Sequence, residues 1–347
     1  MKGHNKILID LVYLNSEGGK LIFFELLGTL KAQNIMDNFY FLIDKRLSDD
    51  KKIIIPKGNY QFIKAKEVLR KNFYKKNHKK FKSYVCMSNI PPPIIINKPV
   101  HVYFHNDLFL APFSTNLNWK NKLINYLKKI YIKYRNKKNY NWYVQSELMR
   151  VKLVNFLNVK YSNIKITPIF RNNKSEITPK KLNSFIYVSN GSKHKNHSRL
   201  LSAFIKASEI SRLQIILNLT LSDTDYKKSS YSKSKIPENL KIINHGIVDS
   251  NMLDIIYQDS KFLIFPSLNE SFGLPLIESI NNNCKVIASD LKFIKEIIEP
   301  SLLFNPFSIS SITNNILEAI SKNDLNESRI IIENKSDTFV KYITNHV

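Results

Sequence analysis

The sequence predicts a two-domain α/β protein in which each domain is a parallel sheet covered by helices. Three observations carry that expectation. The chain has 347 residues, short apolar strands alternate with amphipathic helices in two successive runs, and a polar, proline-bounded break separates them. Single cores rarely grow beyond about 250–300 residues, so two domains of roughly 150 residues are the natural division. Hydrophobic residues make up 43% of the chain, enough to fill both cores and too many for a disordered protein.

The first strand is expected at Lys6–Leu14, apolar on both faces as an interior parallel strand requires. Asn15-Ser-Glu-Gly-Gly19 then leads into a helix with Leu21, Phe24, Leu27 and Leu30 near one stripe. Strand, glycine turn, helix is the opening unit of a doubly wound sheet. Further strands are expected at Phe39–Ile43, Lys52–Ile55, Tyr84–Met87, Val100–Phe104, Trp142–Gln145 and Lys165–Thr167. Helices over Tyr60–Lys71, Trp119–Tyr134 and Ser146–Phe156 fill the gaps between them.

The break falls at Pro168–Pro179, and its composition suits a linker. Beyond it the alternation restarts. Strands are expected at Phe185–Ser189, Gln214–Leu219, Lys241–Asn244, Lys261–Phe265 and Lys285–Ser289, with helices at Ser198–Glu209, Ser250–Gln258 and Leu276–Asn281. The Lys/Ser-rich stretch Asp223–Lys235 reads as a mobile surface loop. The expected domains are therefore 1–170 and 171–327, with a helix over 328–347 returning to the first.

Composition excludes several classes. Cys86 and Cys284 stand far apart and in no metal-ligand spacing, so a disulfide framework is ruled out and both read as buried thiols in a reducing compartment. No apolar run approaches the roughly 18–20 residues needed to cross a bilayer, and Met1–Asp10 lacks a signal-peptide cleavage pattern. A soluble or peripheral protein on the cytoplasmic side is expected. The formal charge of +25 fits either an AT-rich codon bias or attraction to an anionic surface, and charge alone does not choose.

Chemistry concentrates in Phe265-Pro-Ser-Leu-Asn-Glu-Ser-Phe-Gly-Leu-Pro-Leu-Ile-Glu278. A strand ends at Phe265, Ser271–Pro275 forms a turn, and Pro275 stands where a helix can begin. Amide groups at such a helix start favour phosphate or sugar oxygens, and Gly273 lets a ligand approach the backbone closely. Glu270 at the tip can accept hydrogen bonds from sugar hydroxyls. Glu278, inside the helix, can grip a vicinal diol such as ribose. Either glutamate alone would read as a solvated side chain; the joint placement of Pro266, Glu270, Phe272, Gly273, Pro275 and Glu278 argues against that.

This string resembles the signature of family-4 glycosyltransferases, retaining enzymes of the GT-B architecture, with its Glu-x7-Glu pair in a Pro-Ser…Glu-x-Phe-Gly-Leu-Pro…Glu context. The resemblance implies two facing Rossmann-like domains with a cleft between them. It also implies that Glu270 binds donor-sugar hydroxyls and Glu278 the nucleotide ribose, while the main chain of Ser271, Phe272, Gly273 and Leu274 meets sugar and diphosphate. Lys193-His-Lys-Asn-His197 is similar to the family's basic loop, which makes Lys195 the cation that neutralises the donor diphosphate. The usual partner arginine is replaced by Asn190, and Gly191–His197 reads as the family's Gly-Ser-x-His-Lys-Asn-His variant.

By the same resemblance, Gly246 and Ile247 in His245-Gly-Ile-Val248 meet the base, and Gly18 and Gly19 form a first-strand loop that reaches the donor phosphates. Gln145 and Ser146 resemble another strand end facing the cleft. His105 sits where the family often has a cleft-facing catalytic histidine, although a lone strand-end histidine is more often structural. The implied reaction takes sugar from a nucleoside-diphosphate sugar to a glycan or polyprenyl-linked glycan hydroxyl in O-antigen or capsule synthesis, with retention. Neither cofactor nor metal is expected.

Asp223-Thr-Asp225 spells the Asp-x-Asp of metal-dependent transferases but opens a Lys/Ser-rich stretch, so it reads as surface decoration. Trp119–Lys138 interleaves Leu123, Leu127, Ile130, Tyr131 and Tyr134 with Lys120, Lys122, Lys128, Lys129, Lys133 and Arg135. It is either a helix with a solvated basic face or an interfacial helix on anionic lipid. A nucleic-acid-binding protein explains the charge but leaves Pro266–Glu278 unexplained; a silent sugar-nucleotide-binding protein is the other alternative.

Overall fold

The computed structural model describes residues 5–107, 110 and 119–345, with the side chains of 119–122 outside the description; Lys120 and Lys122 and the 346–347 end of the expected C-terminal helix therefore lie beyond it. The chain divides into two units, Met1–Arg171 with Asn334–Val347, and Asn172–Glu333.

Unit 1 holds β1 (Lys6–Leu11), α1 (Glu17–Ala32), β2 (Phe39–Asp44), β3 (Tyr60–Ile63), α2 (Glu67–Asn77), β4 (Phe81–Cys86) and β5 (Val100–Tyr103). It continues with α3 (Trp119–Arg135), β6 (Tyr140–Val144), α4 (Glu147–Leu157) and β7 (Ile164–Ile166). The strands form one parallel sheet in the order β3-β2-β1-β4-β5-β6-β7. Side chains alternate across a strand, so one face packs Ile7, Ile9 and Leu11 against Ile22, Phe23, Leu26 and Leu30 of α1. The other packs Leu8, Tyr84 and Val102 against Tyr74 of α2, Ile132 of α3 and Met149 of α4.

Unit 2 holds β8 (Lys181–Tyr187), α5 (His197–Ser211), β9 (Ile215–Leu219), α6 (Asp223–Lys228), β10 (Leu240–Asn244), α7 (Ser250–Asp259) and β11 (Ser260–Phe265). Then follow α8 (Leu274–Asn281), β12 (Lys285–Ser289), α9 (Lys292–Lys295), β13 (Ile298–Glu299), β14 (Leu302–Phe304), α10 (Ile309–Ser321) and β15 (Arg329–Ile330). Its parallel sheet runs β10-β9-β8-β11-β12-β14. Phe185 of β8 stacks on Phe262 of β11 and meets Phe204 of α5 edge-on, joining sheet and helix in one core. The final helix, α11 (Ser336–Thr344), belongs to unit 1. It buries Phe339, Val340 and Ile343 beside α1.

Four expectations are corrected. Lys52–Ile55 forms no strand, because Pro56 follows at once and cannot donate to a ladder. The edge strand lies instead at Tyr60–Ile63, inside the stretch expected to be helical, and the helix starts only at Glu67. Tyr60 and Phe62 share one face with rings 5.4 Å apart, a period-two contact that wins over helical spacing. Asp223–Lys235 is structured: α6 is followed by a turn that buries Tyr231. Finally, the C-terminal helix begins at Ser336 rather than Ser328, and unit 2 runs over 172–333 rather than 171–327. Ser328 Oγ accepts the amides of Val286 and Ser301, which ties that segment to the unit 2 sheet; Lys335 N already donates to the Pro168 carbonyl in unit 1. Among the described residues no helix is long and apolar enough to cross a membrane.

Candidate active site

Open parallel sheets bind ligands at the carboxyl ends of their strands, where the strand order reverses and neighbouring loops splay to opposite faces. In unit 2 that reversal lies between β8 and β11. The loop leaving β8 carries Asn190 to Asn196; the loop leaving β11 carries Pro266 to Gly273.

Several hydrogen bonds hold these loops side by side. The Leu268 amide donates to the His194 carbonyl at 2.8 Å. Asn196, in the left-handed region at φ 62°, sends its side-chain amide to the carbonyls of Pro266 at 3.2 Å and Pro306 at 2.8 Å. Buried Tyr187 donates its hydroxyl to the Lys195 carbonyl at 2.7 Å and lies 3.1 Å from Ser267 Oγ. Burial raises the Tyr187 pKa, so the hydroxyl stays a donor.

The side chains that the sequence singles out then meet. Lys195 Nζ donates to Glu270 Oε1 at 2.5 Å, with the two side chains only 12% and 14% exposed. Ser271, Phe272 and Gly273 form the following turn, and Leu274 is the first residue of α8. Gly273 adopts φ 87°, and a Cβ there would stand 2.9 Å from Leu276 Cδ1, so the turn needs glycine on both counts. No side chain caps α8; Pro275 has no amide hydrogen and the Leu276 amide donates to the Gly273 carbonyl at 3.0 Å, so the Leu274 and Ile277 amides are the ones that can meet an anionic ligand. Within α8, Glu278 Oε2 accepts from the buried Tyr257 hydroxyl at 3.3 Å. Burial first, and the Glu278 charge second, raise the Tyr257 pKa and keep it protonated.

Asn190 is exposed; its side chain accepts the Ser192 amide at 3.1 Å, while its carbonyl lies 2.9 Å from His197 Nε2. A carbonyl only accepts, so His197 carries its proton on Nε2 and its Nδ1 takes the Tyr231 hydroxyl at 3.2 Å. Burial lowers the His197 pKa and keeps the ring neutral in that role. Gly246, at φ 72°, and Ile247, 79% exposed, follow β10, two strands from β8. His245 is fixed there by Asn218 Oδ1 at 2.9 Å. Asp225, read as decoration, instead accepts the Gly191 amide at 3.1 Å and braces the start of the Lys195 loop.

The remaining candidates belong to unit 1. Gly18 and Gly19 lie in the first turn of α1 rather than in a loop, and Ser16 Oγ accepts the Gly19 amide at 3.2 Å. A Cβ on Gly19 would stand 2.9 Å from both Leu14 Cδ1 and Ser16 Oγ, which accounts for that glycine by packing. Gln145 and Ser146 are buried after β6, and Ser146 caps α4 by accepting the Met149 amide. His105 follows β5; its amide donates to Asn89 Oδ1 at 2.7 Å and its Nε2 lies 3.2 Å from the Met87 carbonyl. The Asn89 side-chain amide nitrogen also lies 3.4 Å from that ring nitrogen, so both groups hold the ring in place. Burial pushes the His105 pKa down to about 4, a weak base at neutral pH. Cys86 and Cys284 are free and buried, their thiols pushed up to about 12 and about 11.

Sequence reasoning missed Tyr187, Tyr257 and the roles of His197 and Asp225. Each acts through a partner far along the chain or through the backbone, and local spacing gives no signal for that.

Residues 169–337 match the family described as Glycosyl transferases group 1. The O-antigen chain mannosyltransferase RfbU of Salmonella typhimurium is 30% identical over 149 residues, 41% of this chain and 40% of that protein. The match thus spans about two fifths of that relative's length. Among solved structures, WaaG, a glycosyltransferase involved in lipopolysaccharide biosynthesis, is similar with a TM-score of 0.71 at 12% identity, covering 97% of this chain and 99% of the other. Sucrose-phosphate synthase from Thermosynechococcus elongatus is similar at a TM-score of 0.69 and 15% identity, covering 92% and 90%. The two parallel-sheet domains have the GT-B fold, and the region that builds the Lys195–Glu270 site is a glycosyl transferases group 1 domain.

Proposed function

We propose that the protein transfers a sugar from a nucleoside-diphosphate sugar to a hydroxyl of a glycan or lipid-linked glycan, with anomeric configuration retained and without a metal. The observation that carries this reading is the Lys195–Glu270 pair at the strand-order reversal of unit 2, beside the uncapped start of α8. On this reading a donor diphosphate takes over Lys195 and the α8 amides, which oppose the charge growing on the leaving group. Glu270, released from the ammonium, accepts hydroxyls of the sugar. Glu278, backed by Tyr257, accepts those of the ribose. Asn190, Gly246 and Ile247 are assigned to the donor as well, and surface polysaccharide synthesis is the assigned pathway.

The test is nucleoside-diphosphate release from a panel of UDP-, GDP- and dTDP-sugars, with chelator present, followed by proton NMR of the anomeric centre in the product. Release that requires a divalent cation, or an inverted product, would overturn the metal-free or the retaining part respectively. No turnover of any donor with a membrane extract as acceptor source would overturn the whole reading.

The assigned partner surface is anionic lipid at the inner face of the plasma membrane. Leu123, Leu127, Ile130 and Tyr134 follow one stripe of α3 and are all exposed, the last at 72%. The helix carries six Lys and Arg and no acidic residue. Apolar area plus basic charge is the composition that holds a helix in the interface plane.

A further inference from the structure

Glu278 is held by two residues that both converge on one lysine. Lys180 stands just before β8, at the amino end of the unit 2 sheet and opposite the loops that carry Lys195 and Glu270. Its Nζ lies within hydrogen-bond reach of four carbonyls: Tyr257 at 2.9 Å, Gln258 at 3.2 Å, Ser260 at 3.0 Å and Asn282 at 2.8 Å. Cys284 Sγ is 3.7 Å away. Carbonyls only accept, so the group among them is a donor, and the ammonium shares its three protons over the four oxygens.

A lysine at the carboxyl end of one helix is an ordinary cap, because the carbonyls there carry partial negative charge. Lys180 instead joins two helix ends. Tyr257 and Gln258 lie in the last turn of α7, which Ser260 closes, and Asn282 is the residue on which α8 ends. Without the ammonium, the negative poles of both helices would face one another.

The same two helices meet again at Glu278. The Tyr257 hydroxyl donates to Glu278 Oε2 at 3.3 Å, and Asn282 Nδ2 donates to the Glu278 carbonyl at 2.9 Å. Tyr257 is fully buried and Asn282 nearly so. Lys180, Tyr257, Glu278 and Asn282 thus form a closed ring of contacts. The ammonium grips the main chain of Tyr257 and Asn282, and their side chains grip the carboxylate and the main chain of Glu278. A slip of α7 against α8 changes the tyrosine–carboxylate contact directly, and a hydrogen bond weakens steeply once misaligned.

We propose that Lys180 is a positioning residue for nucleotide recognition. By clamping the carboxyl ends of α7 and α8 it sets the orientation of Glu278, and through it the preference for a nucleotide that carries ribose hydroxyls. The inference rests on the transferase reading in one respect, the assignment of Glu278 to those hydroxyls. Lys180 acts from the far end of the sheet and needs no contact with the nucleotide.

The test uses the full chain, titrated by calorimetry with UDP, GDP and dTDP, each beside its 2′,3′-dideoxy form, which lacks the hydroxyls assigned to Glu278. For at least one pair the wild type should favour the hydroxylated form roughly tenfold or more, the scale of a hydrogen bond to a charged acceptor. Lys180→Met keeps most of the stem and removes the ammonium. It should lower that preference about threefold or more, through misalignment of Glu278, and leave the dideoxy form bound within about twofold of wild type. A merely structural role would weaken both forms alike. If Lys180→Met shows no cooperative thermal melt, Lys180→Gln, uncharged and one bond shorter but still a donor, carries the test and should show the same loss. Tyr257→Phe cuts the ring at another point. It should lower the preference to a similar degree, and combining it with the Lys180 variant should lower it little further.

Equal weakening of both forms by the Lys180 variant, or losses that multiply in the double variant, would overturn the proposal. A wild type that binds the paired forms equally, or not at all, removes Glu278 from the ribose and takes the proposal with it. A discriminating wild type whose preference survives in the Lys180 variant overturns the proposal alone.

Discussion

The Lys195 ammonium and the Glu270 carboxylate, from loops on either side of a strand-order reversal, sit 2.5 Å apart and nearly out of water. Removing one partner strands the other charge, whereas removing both does not. Lys195→Met and Glu270→Leu should each cost about 2 kcal/mol of stability, a figure reduced for their residual exposure. The double variant should cost less than about 1 kcal/mol beyond wild type. All three should lose roughly 100-fold or more in nucleoside-diphosphate release. Urea titrations in which the two single losses simply add would show that the pair does not interact.

Asp225 braces the Lys195 loop at its start. A Cβ on Gly191 would stand 2.8 Å from Asp225 Cγ, so Gly191→Ala must push the carboxylate away. Both Gly191→Ala and Asp225→Ala should raise the donor KM about fivefold, the scale of one lost hydrogen bond. A donor KM matching wild type in both would show that the brace has no bearing on the site.

His105 makes a pH prediction. Its folded pKa is depressed to about 4 from an ordinary 6.5, by burial. Between those values the unfolded chain binds more protons than the folded one, so stability falls as pH drops from 6.5 to 4. The contribution is at most about 3.5 kcal/mol, from roughly 1.4 kcal/mol for each unit of pKa. His105→Gln should lack this component, and its stability should decline less than that of wild type over the same window. Parallel curves for the two proteins would refute the burial argument.

The stripe on α3 predicts lipid binding. Ile130→Asp and Tyr134→Asp together should reduce cosedimentation with phosphatidylglycerol vesicles at least tenfold, while phosphatidylcholine vesicles retain little of either protein. Binding should weaken with added salt, as exposed electrostatics do. Salt-independent binding, or equal binding of the variant, would remove α3 from the membrane.

The motif from Phe265 to Glu278 was legible because it is local. Phe265 to Glu278 is one strand, one turn and one helix, and a fourteen-residue string can encode all of it. Lys195 followed from its order ahead of that string. The supports of the site were not legible. Tyr257 meets Glu278 from another helix, and Asp225 meets Gly191 across 34 residues. The contacts of Glu67 in unit 1, where it accepts the Tyr13 and Tyr131 hydroxyls, were hidden for a different reason. Glu67 reaches Tyr13 and Tyr131 only because Tyr60–Ile63 is a strand and α2 starts after it. With Tyr60–Lys71 taken as one helix, Glu67 becomes an ordinary mid-helix charge. Short apolar runs satisfy both periods, and pairing with β2 decided this one.

The packing of α11 on unit 1 has a consequence for biosynthesis. Phe339 rests edge-on against Tyr103 and Tyr143 at 5.3 and 5.0 Å, yet all of unit 2 is translated before that helix exists. The first half to leave the ribosome must therefore wait, with an uncovered greasy flank beside α1, while the second half is made and can fold. A release of the nascent chain anywhere within unit 2 would yield a protein whose early domain is unfinished, and such products are natural clients for chaperones and proteases. The order of synthesis and the order of completion run opposite ways in this molecule.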